Sequence, residues 1–276
     1  MAERANNGEP VVDHLAEVWS SLAAACEHLD DEQWSFQTDC PGWSVKDQLA
    51  HLIGVERMLL GEPSPASPAP IPGYVRNSIG ELNEGWVAAR RPLPGNDVLA
   101  EFVETTGRRM ESLRAMSPED FDVVGPSPLG QVPYREFMET RVIDSWAHEQ
   151  DVRRALGRPG GRNGPGEATS LGRCFHAMPF VVGKRVAPPD GTTVRFDVAG
   201  DLGHQLLVGM DGARASVVTS TPAEAPSVAL AMDQETFWRL GFGRVGSDEV
   251  LASHSVTFDG DEALGHRVLE AMAFMI

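Results

Sequence analysis

Through the first 185 or so residues, apolar side chains recur at three- and four-residue steps, the period of helices with one buried face. Val12, Leu15, Val18, Trp19, Leu22 and Cys26 predict a helix over about 10–29. Residues 30–34 then lead into a loop that ends in Cys40-Pro41-Gly42-Trp43. Ser44 stands where an N-cap belongs and Asp47 follows three residues later, a capping-box-like start for a helix over about 45–60. Five prolines between Gly61 and Gly73 exclude a helix interior and predict a long surface loop. Helical stretches are expected around 75–90 and 97–115, the second with Asn96 as its N-cap. Pro118 and the 125–133 stretch break the chain. Residues 134–156 then predict a long helix closed by Gly157, and 166–186 predict another.

Near Pro188 the pattern changes. Residues 192–198, 205–209 and 215–220 mix β-branched and apolar side chains between the turn signals Gly200-Asp201 and Asp211-Gly212, and read as strands. A further strand is expected at 228–232, a short helix at 234–240, a last strand at 255–258 and a closing helix at 262–274. The expected fold class is α+β: a helical bundle over 8–186, followed by a smaller α+β domain over 187–276.

Composition narrows the partners. The chain has 276 residues, 42% of them hydrophobic, which is enough for one large domain or two modest ones. Its formal net charge of −17, with no Lys/Arg cluster, argues against nucleic acid and anionic membranes as partners. No run approaches the ~20 apolar residues that a membrane span needs, and the first residues carry no apolar signal core. The three cysteines, Cys26, Cys40 and Cys174, form no CxxC pair and fit a reducing cytoplasm. A cytoplasmic monomer or homodimer is expected.

Candidate chemistry lies on the long helix. Arg141, Asp144, His148 and Asp151 are three, four and three residues apart and form one continuous stripe, with Val142 and Trp146 on the opposite side. Asp144 and His148 at i, i+4 can reach one metal ion, but the same spacing also makes ordinary helix-surface ion pairs. His51, at the edge of an apolar helix face beside Val55 and Met58, reads equally as a ligand or as a hydrogen-bonded structural histidine.

Two long motifs carry a resemblance. The segment from Thr38 to Leu52, TDCPGWSVKDQLAHL, and the segment from Asp144 to Pro159, DSWAHEQDVRRALGRP, resemble the mycothiol-dependent maleylpyruvate isomerase family of the DinB-like helical-bundle superfamily. The tail, with the run Phe237–Gly243, Arg244 and the run Val256-Thr257-Phe258-Asp259-Gly260-Asp261, resembles that family's sterol-carrier-like C-terminal domain. The resemblance implies a divalent metal, zinc or another, held by His51, Asp144 and His148, with mycothiol as thiol cosubstrate. Some relatives carry glutamate where this chain has Asp144, which is one methylene shorter.

Three protein ligands leave a metal position open, as in catalytic zinc sites. A zinc-bound thiol is deprotonated, and the thiolate is the nucleophile. The implied partners are a low-molecular-weight thiol and a small-molecule electrophile. The leading expectation is an S-transferase. The alternatives are a cis–trans isomerase of the maleylpyruvate type and a non-enzymatic small-ligand-binding protein. Asp151 is a candidate for orienting His148, or for an ion pair with Arg154. Arg244 is a candidate for binding a substrate carboxylate, or for capping a domain interface. Cys40 reads as a reactive thiol near the site or as a loop residue packed on Trp43. Glu56, displaced by more than a turn from His51, is expected on the bundle side.

Overall fold

The structure is a computed structural model that describes residues 8–128, 130–219 and 225–275. Its contacts divide into two compact units that meet between Gly166 and Glu167. The sequence boundary at 186/187 follows the change of pattern, whereas the contacts group the helix after residue 166 with the second unit.

The first unit is built on helices α1 (Pro10–Ala25), α3 (Val45–Leu59), α4 (Ser78–Arg90), α5 (Gly95–Arg114) and α6 (Tyr134–Leu156), with a single turn, α2 (Asp31–Trp34), between the first two. Helix α1 packs on α5 and α6, and α3 packs on α4, α5 and α6. The capping box predicted at Ser44 is present: its side chain accepts from the Asp47 backbone N–H, and Asp47 accepts from that of Ser44. Gly157 closes α6 in the left-handed conformation, with φ 62°. Helix α5 begins at Gly95 after Pro94, so Asn96 lies inside it and is not its N-cap. The 125–133 stretch is more than a break: β1 (Val124–Ser127) and β2 (Gly130–Pro133) form an antiparallel hairpin.

Close approach of α4 to α3 depends on Gly54. A Cβ there would lie 2.3 Å from Cγ of Trp86, which is itself 5% exposed. Gly54→Ala gains roughly 1 kcal/mol of helix propensity. It also forces a carbon into a rigid buried ring, an overpacking cost of about 1–3 kcal/mol. The second effect wins at this distance, so denaturant titration should find the variant less stable by about 1 kcal/mol. A variant more stable than wild type would mean that α4 shifts freely.

The second unit begins within the first turn of α7 (Pro165–Phe180), which ends in a π-helical turn, Val181–Val186. A five-stranded mixed sheet follows: β3 (Thr193–Ala199), β4 (Gln205–Asp211), β5 (Arg214–Val217), β6 (Val228–Asp233) and β7 (Val256–Gly260), in the order β5-β4-β3-β6-β7. The β3–β6 pair is parallel and the others are antiparallel. Strand β5 ends at Val217, earlier than expected, and Ser220 lies outside the described residues. Helices α8 (Gln234–Gly241), α9 (Ser247–Ala252) and α10 (Glu262–Ala271) complete the unit, and α9 is absent from the sequence reading. Val194, Phe196, Val198, Leu230, Phe237 and Leu240 are buried in the core of this unit. The architecture, helices first and an α+β unit after them, is the fold class expected from the sequence. No helix among the described residues is long and apolar enough to cross a membrane.

Candidate metal centre

The site is assembled by α3 and α6. Helix α6 is buried around nearly its whole circumference between Arg141 and Val152, so most of its ionisable stripe is enclosed, with Asp144 the partly exposed member. The Trp19 indole donates to Ser145 Oγ at 3.0 Å and ties the far side of α6 to α1. On the stripe itself, Asp144 and His148 meet His51 from α3. His51 Nε2 lies 3.2 Å from Asp144 Oδ2, and His148 Nε2 lies 3.6 Å from Oδ1. One ligand atom from each of the three residues can be chosen so that all lie within 4.8 Å of one another. Ligands about 2.1 Å from a tetrahedral zinc sit roughly 3.4 Å apart. The two histidine–carboxylate contacts are close to that spacing, each to a different oxygen of Asp144, and two imidazoles with one carboxylate are a donor set that zinc takes. The residues therefore fit a metal.

The surroundings set the protonation states. Burial lowers the pKa of His51 and outweighs the pull of Asp144 in the other direction. Burial alone would raise the Asp144 carboxyl, but Arg141 and His51 beside it hold it well below the usual carboxylate range. His148 is raised despite its burial, because Asp144 and Asp151 both favour its charged form.

Asp151, fully buried, places Oδ2 3.3 Å from Nδ1 of His148. The pair is within ion-pair distance, although Nδ1 makes no hydrogen bond of ordinary geometry among the described residues, so Asp151 acts on the His148 ring chiefly through its charge. Arg154 reaches Asp39 at 2.9 Å. Arg244 lies in the second unit, where its guanidinium donates to the Phe242 carbonyl at 2.9 Å. The His51–Asp144–His148 cluster belongs entirely to the first unit.

Two features were not legible beforehand. The first is a buried chain of charges behind Asp144. Arg141 donates to Asp144 Oδ2 at 2.8 Å and, through Nε, to Glu56 Oε1 at 2.8 Å. Glu56 Oε2 accepts from Arg109 of α5 at 3.1 Å, and Arg109 also donates to the Tyr134 hydroxyl. Glu56 is thus buried on the bundle side, as expected, and is linked to Asp144 through Arg141. The second feature is Trp43. Its indole lies 5.0 Å from the His51 ring and 5.9 Å from the His148 ring, and those two rings meet edge to face at 4.6 Å.

Cys40 packs against the cluster of Trp43, Ala50 and Val87 together with Tyr74, which is the packing alternative of its two readings. It is half-buried, whereas Cys26 and Cys174 are fully buried. Burial pushes the Cys26 thiol up to about 12, against the pull of Arg153 and Arg158, and raises Cys174 as well. A thiol reagent added to native protein should therefore modify one equivalent quickly, at Cys40, and the other two only after unfolding. Three fast equivalents would contradict the enclosed positions of Cys26 and Cys174.

Fold and cluster together define a class: a helical bundle that gathers two histidines and an aspartate from two helices, followed by an α+β unit. Residues 15–153 match the mycothiol maleylpyruvate isomerase N-terminal domain, and the chain belongs to that family. All three members of the cluster fall within the matched segment. An uncharacterized protein of Mycobacterium tuberculosis (strain H37Rv) is 30% identical over 157 residues, a match that spans 54% of this chain and 57% of the relative. The chain thus matches little more than half the length of that curated relative. The crystal structure of the mycothiol-dependent maleylpyruvate isomerase superposes with a TM-score of 0.56 at 14% identity, covering 91% of this chain and 92% of that one. A mutant of that enzyme gives a TM-score of 0.55 over the same shares. At this identity the likeness is one of fold, and it extends through both units.

Proposed function

We propose that the protein is a metal- and mycothiol-dependent enzyme of the maleylpyruvate isomerase type, with His51, Asp144 and His148 holding the metal. The observation that carries this reading is the convergence of that triad inside the family-matched segment. Sequence alone put S-transfer first. Membership of a family named for an isomerase reverses the order, because the triad serves both reactions equally.

A divalent metal with a coordinated thiol would supply a thiolate at neutral pH, able to add reversibly to an electron-poor double bond. The chain's own residues do the rest. Asp151 faces Nδ1 of His148 with its negative charge, while Nε2 is turned toward Asp144. Arg141 restrains the Asp144 carboxylate. Trp43 lies against both imidazoles and keeps water from their faces. Arg244 is assigned no part in metal binding. A role in holding a substrate carboxylate would raise KM in Arg244→Ala while leaving metal content unchanged.

The test follows zinc-loaded protein with mycothiol and maleylpyruvate by proton NMR and mass spectrometry. The expected result is geometric isomerisation at constant substrate mass. A persistent product heavier by one thiol, on this substrate or across a panel of electrophiles, would restore the transferase. Neither product from zinc-loaded protein would favour a binding protein.

A further inference from the structure

The Trp43 indole has an unusual anchor. Glu84 of α4 is fully buried, and a buried carboxylate is costly unless donors surround it. Three donors from three segments converge on it. The Trp43 Nε1–H donates to Oε2 at 3.1 Å. The Tyr74 hydroxyl and the Arg91 guanidinium donate to Oε1 at 2.9 and 2.5 Å. Burying an indole does not itself demand an acceptor here, since Trp34 Nε1 is buried with no hydrogen-bond partner among the described residues. The bond to Glu84 gives the Trp43 N–H edge a fixed direction.

What it does follows from the geometry around Trp43. The backbone of Trp43 is held by Thr38 Oγ1 and Gln37 Nε2, which both donate to its carbonyl, at 2.8 and 2.9 Å. With the backbone fixed and the ring packed among Ala50, Val87, Cys40 and Tyr74, small rotations about χ1 and χ2 are the freedom that remains. Glu84 removes that freedom by pinning the indole's N–H edge. The ring then lies against His51 at an interplanar angle of 37° and against His148 at 38°. The two imidazoles can turn only as far as that wall allows.

We propose that Glu84 is a positioning residue for the metal centre: by accepting the Trp43 indole N–H it sets the plane against which His51 and His148 pack, and so fixes the angle between the two nitrogen donors. This deepens the metal reading above and rests on it.

The isosteric change Glu84→Gln separates positioning from packing. Glutamine offers one acceptor oxygen and one amide donor. The Arg91 charge draws the oxygen toward itself, which leaves the amide N–H₂ facing the indole N–H. Volume is kept and the indole bond is lost. Trp43→Phe removes the same bond from the other side. Tyr74→Phe removes a donor to Glu84 but leaves the indole bond in place.

The experiment loads the full-length protein with cobalt(II) in place of zinc and records the d–d absorption bands, which report ligand geometry, alongside a metal titration. Glu84→Gln and Trp43→Phe should both shift the bands and weaken cobalt binding by on the order of 10-fold. Tyr74→Phe should match wild type. The double variant should go no further than Trp43→Phe alone, because both changes break one bond. Circular dichroism checks that each variant is folded. Should Glu84→Gln not fold, Trp43→Phe decides the matter by itself. Wild-type bands and affinity in either folded variant, or additive effects in the double, overturn the proposal. Wild-type protein that takes up no cobalt overturns the metal reading itself, and this proposal with it.

Discussion

Replacing His148 by alanine is expected to strip the protein of zinc: wild type should hold about one ion per chain, and the variant should bind it more than about 100-fold more weakly. Changes to residues that merely support metal ligands already cost roughly 10–100-fold. Loss of a ligand from a three-residue set costs more, because two protein donors remain where structural and catalytic zinc sites use three or four. The neighbours give a graded series. Asp144→Ala removes the proposed anionic ligand and leaves Arg141 with Glu56 as its carboxylate partner. Asp151→Asn keeps all three ligands but weakens the hold on His148 Nδ1, and should fall in the 10–100-fold range. Metal analysis of dialysed protein and competition with a chromophoric chelator give the numbers. Full occupancy in a His51→Ala/His148→Ala double variant would show that the ion, if present, sits elsewhere.

Glu56→Ala should cost the first unit about 3–5 kcal/mol, the range for removing one partner of a buried ion network. Glu56 is fully buried between two arginines that are 3% and 5% exposed, Arg109 and Arg141. Without it, two guanidinium groups face each other in the core with only Asp144 and Tyr134 to absorb them. Glu56→Gln should be milder, because its oxygen can still accept from one arginine. Five of the six tryptophans, Trp19, Trp34, Trp43, Trp86 and Trp146, lie in the first unit, so intrinsic fluorescence during urea unfolding reports mainly on it. A loss below about 1 kcal/mol would mean that the arginines find other partners or water once Glu56 is gone.

Much of this was legible in the chain. Helices such as α3 and α6 announce themselves because their capping residues act locally: Ser44 with Asp47, and Gly157, mark ends that need no tertiary contact to specify. The Arg141–Asp144–His148–Asp151 stripe followed from helical spacing alone. The position of Glu56 did not. Five residues after His51 it looks displaced from the site, and only the crossing of α3, α5 and α6 shows that Arg141 spans the gap between Glu56 and Asp144. Glu84 was invisible for the same reason, since its partners Trp43 and Tyr74 come from irregular chain and meet only in the folded unit. The β1–β2 hairpin was missed because Gly125, Pro126 and Pro133 read as breakers, although proline is tolerated in a two-stranded edge pair. Helix α9 is six residues long, too short for a period to register.

The parallel pairing of β3 with β6 bears on how the second unit acquires its shape. Strands β3, β4 and β5 follow one another as an antiparallel meander and can zip up from neighbouring segments of chain. Strand β6 must instead return to the far edge of β3, registering Val194 against Val228 across the whole meander. Closing that loop costs entropy before any contact rewards it, so pairings distant in sequence slow the search. The helical unit, whose hydrogen bonds are mostly local, is expected to refold first after dilution from urea. Protection of the β6 amides in a pulsed hydrogen-exchange experiment should lag behind that of α3 and α6. In the growing chain the same order places His51, Asp144 and His148 together before the strand that pairs with the far edge of β3 has been made.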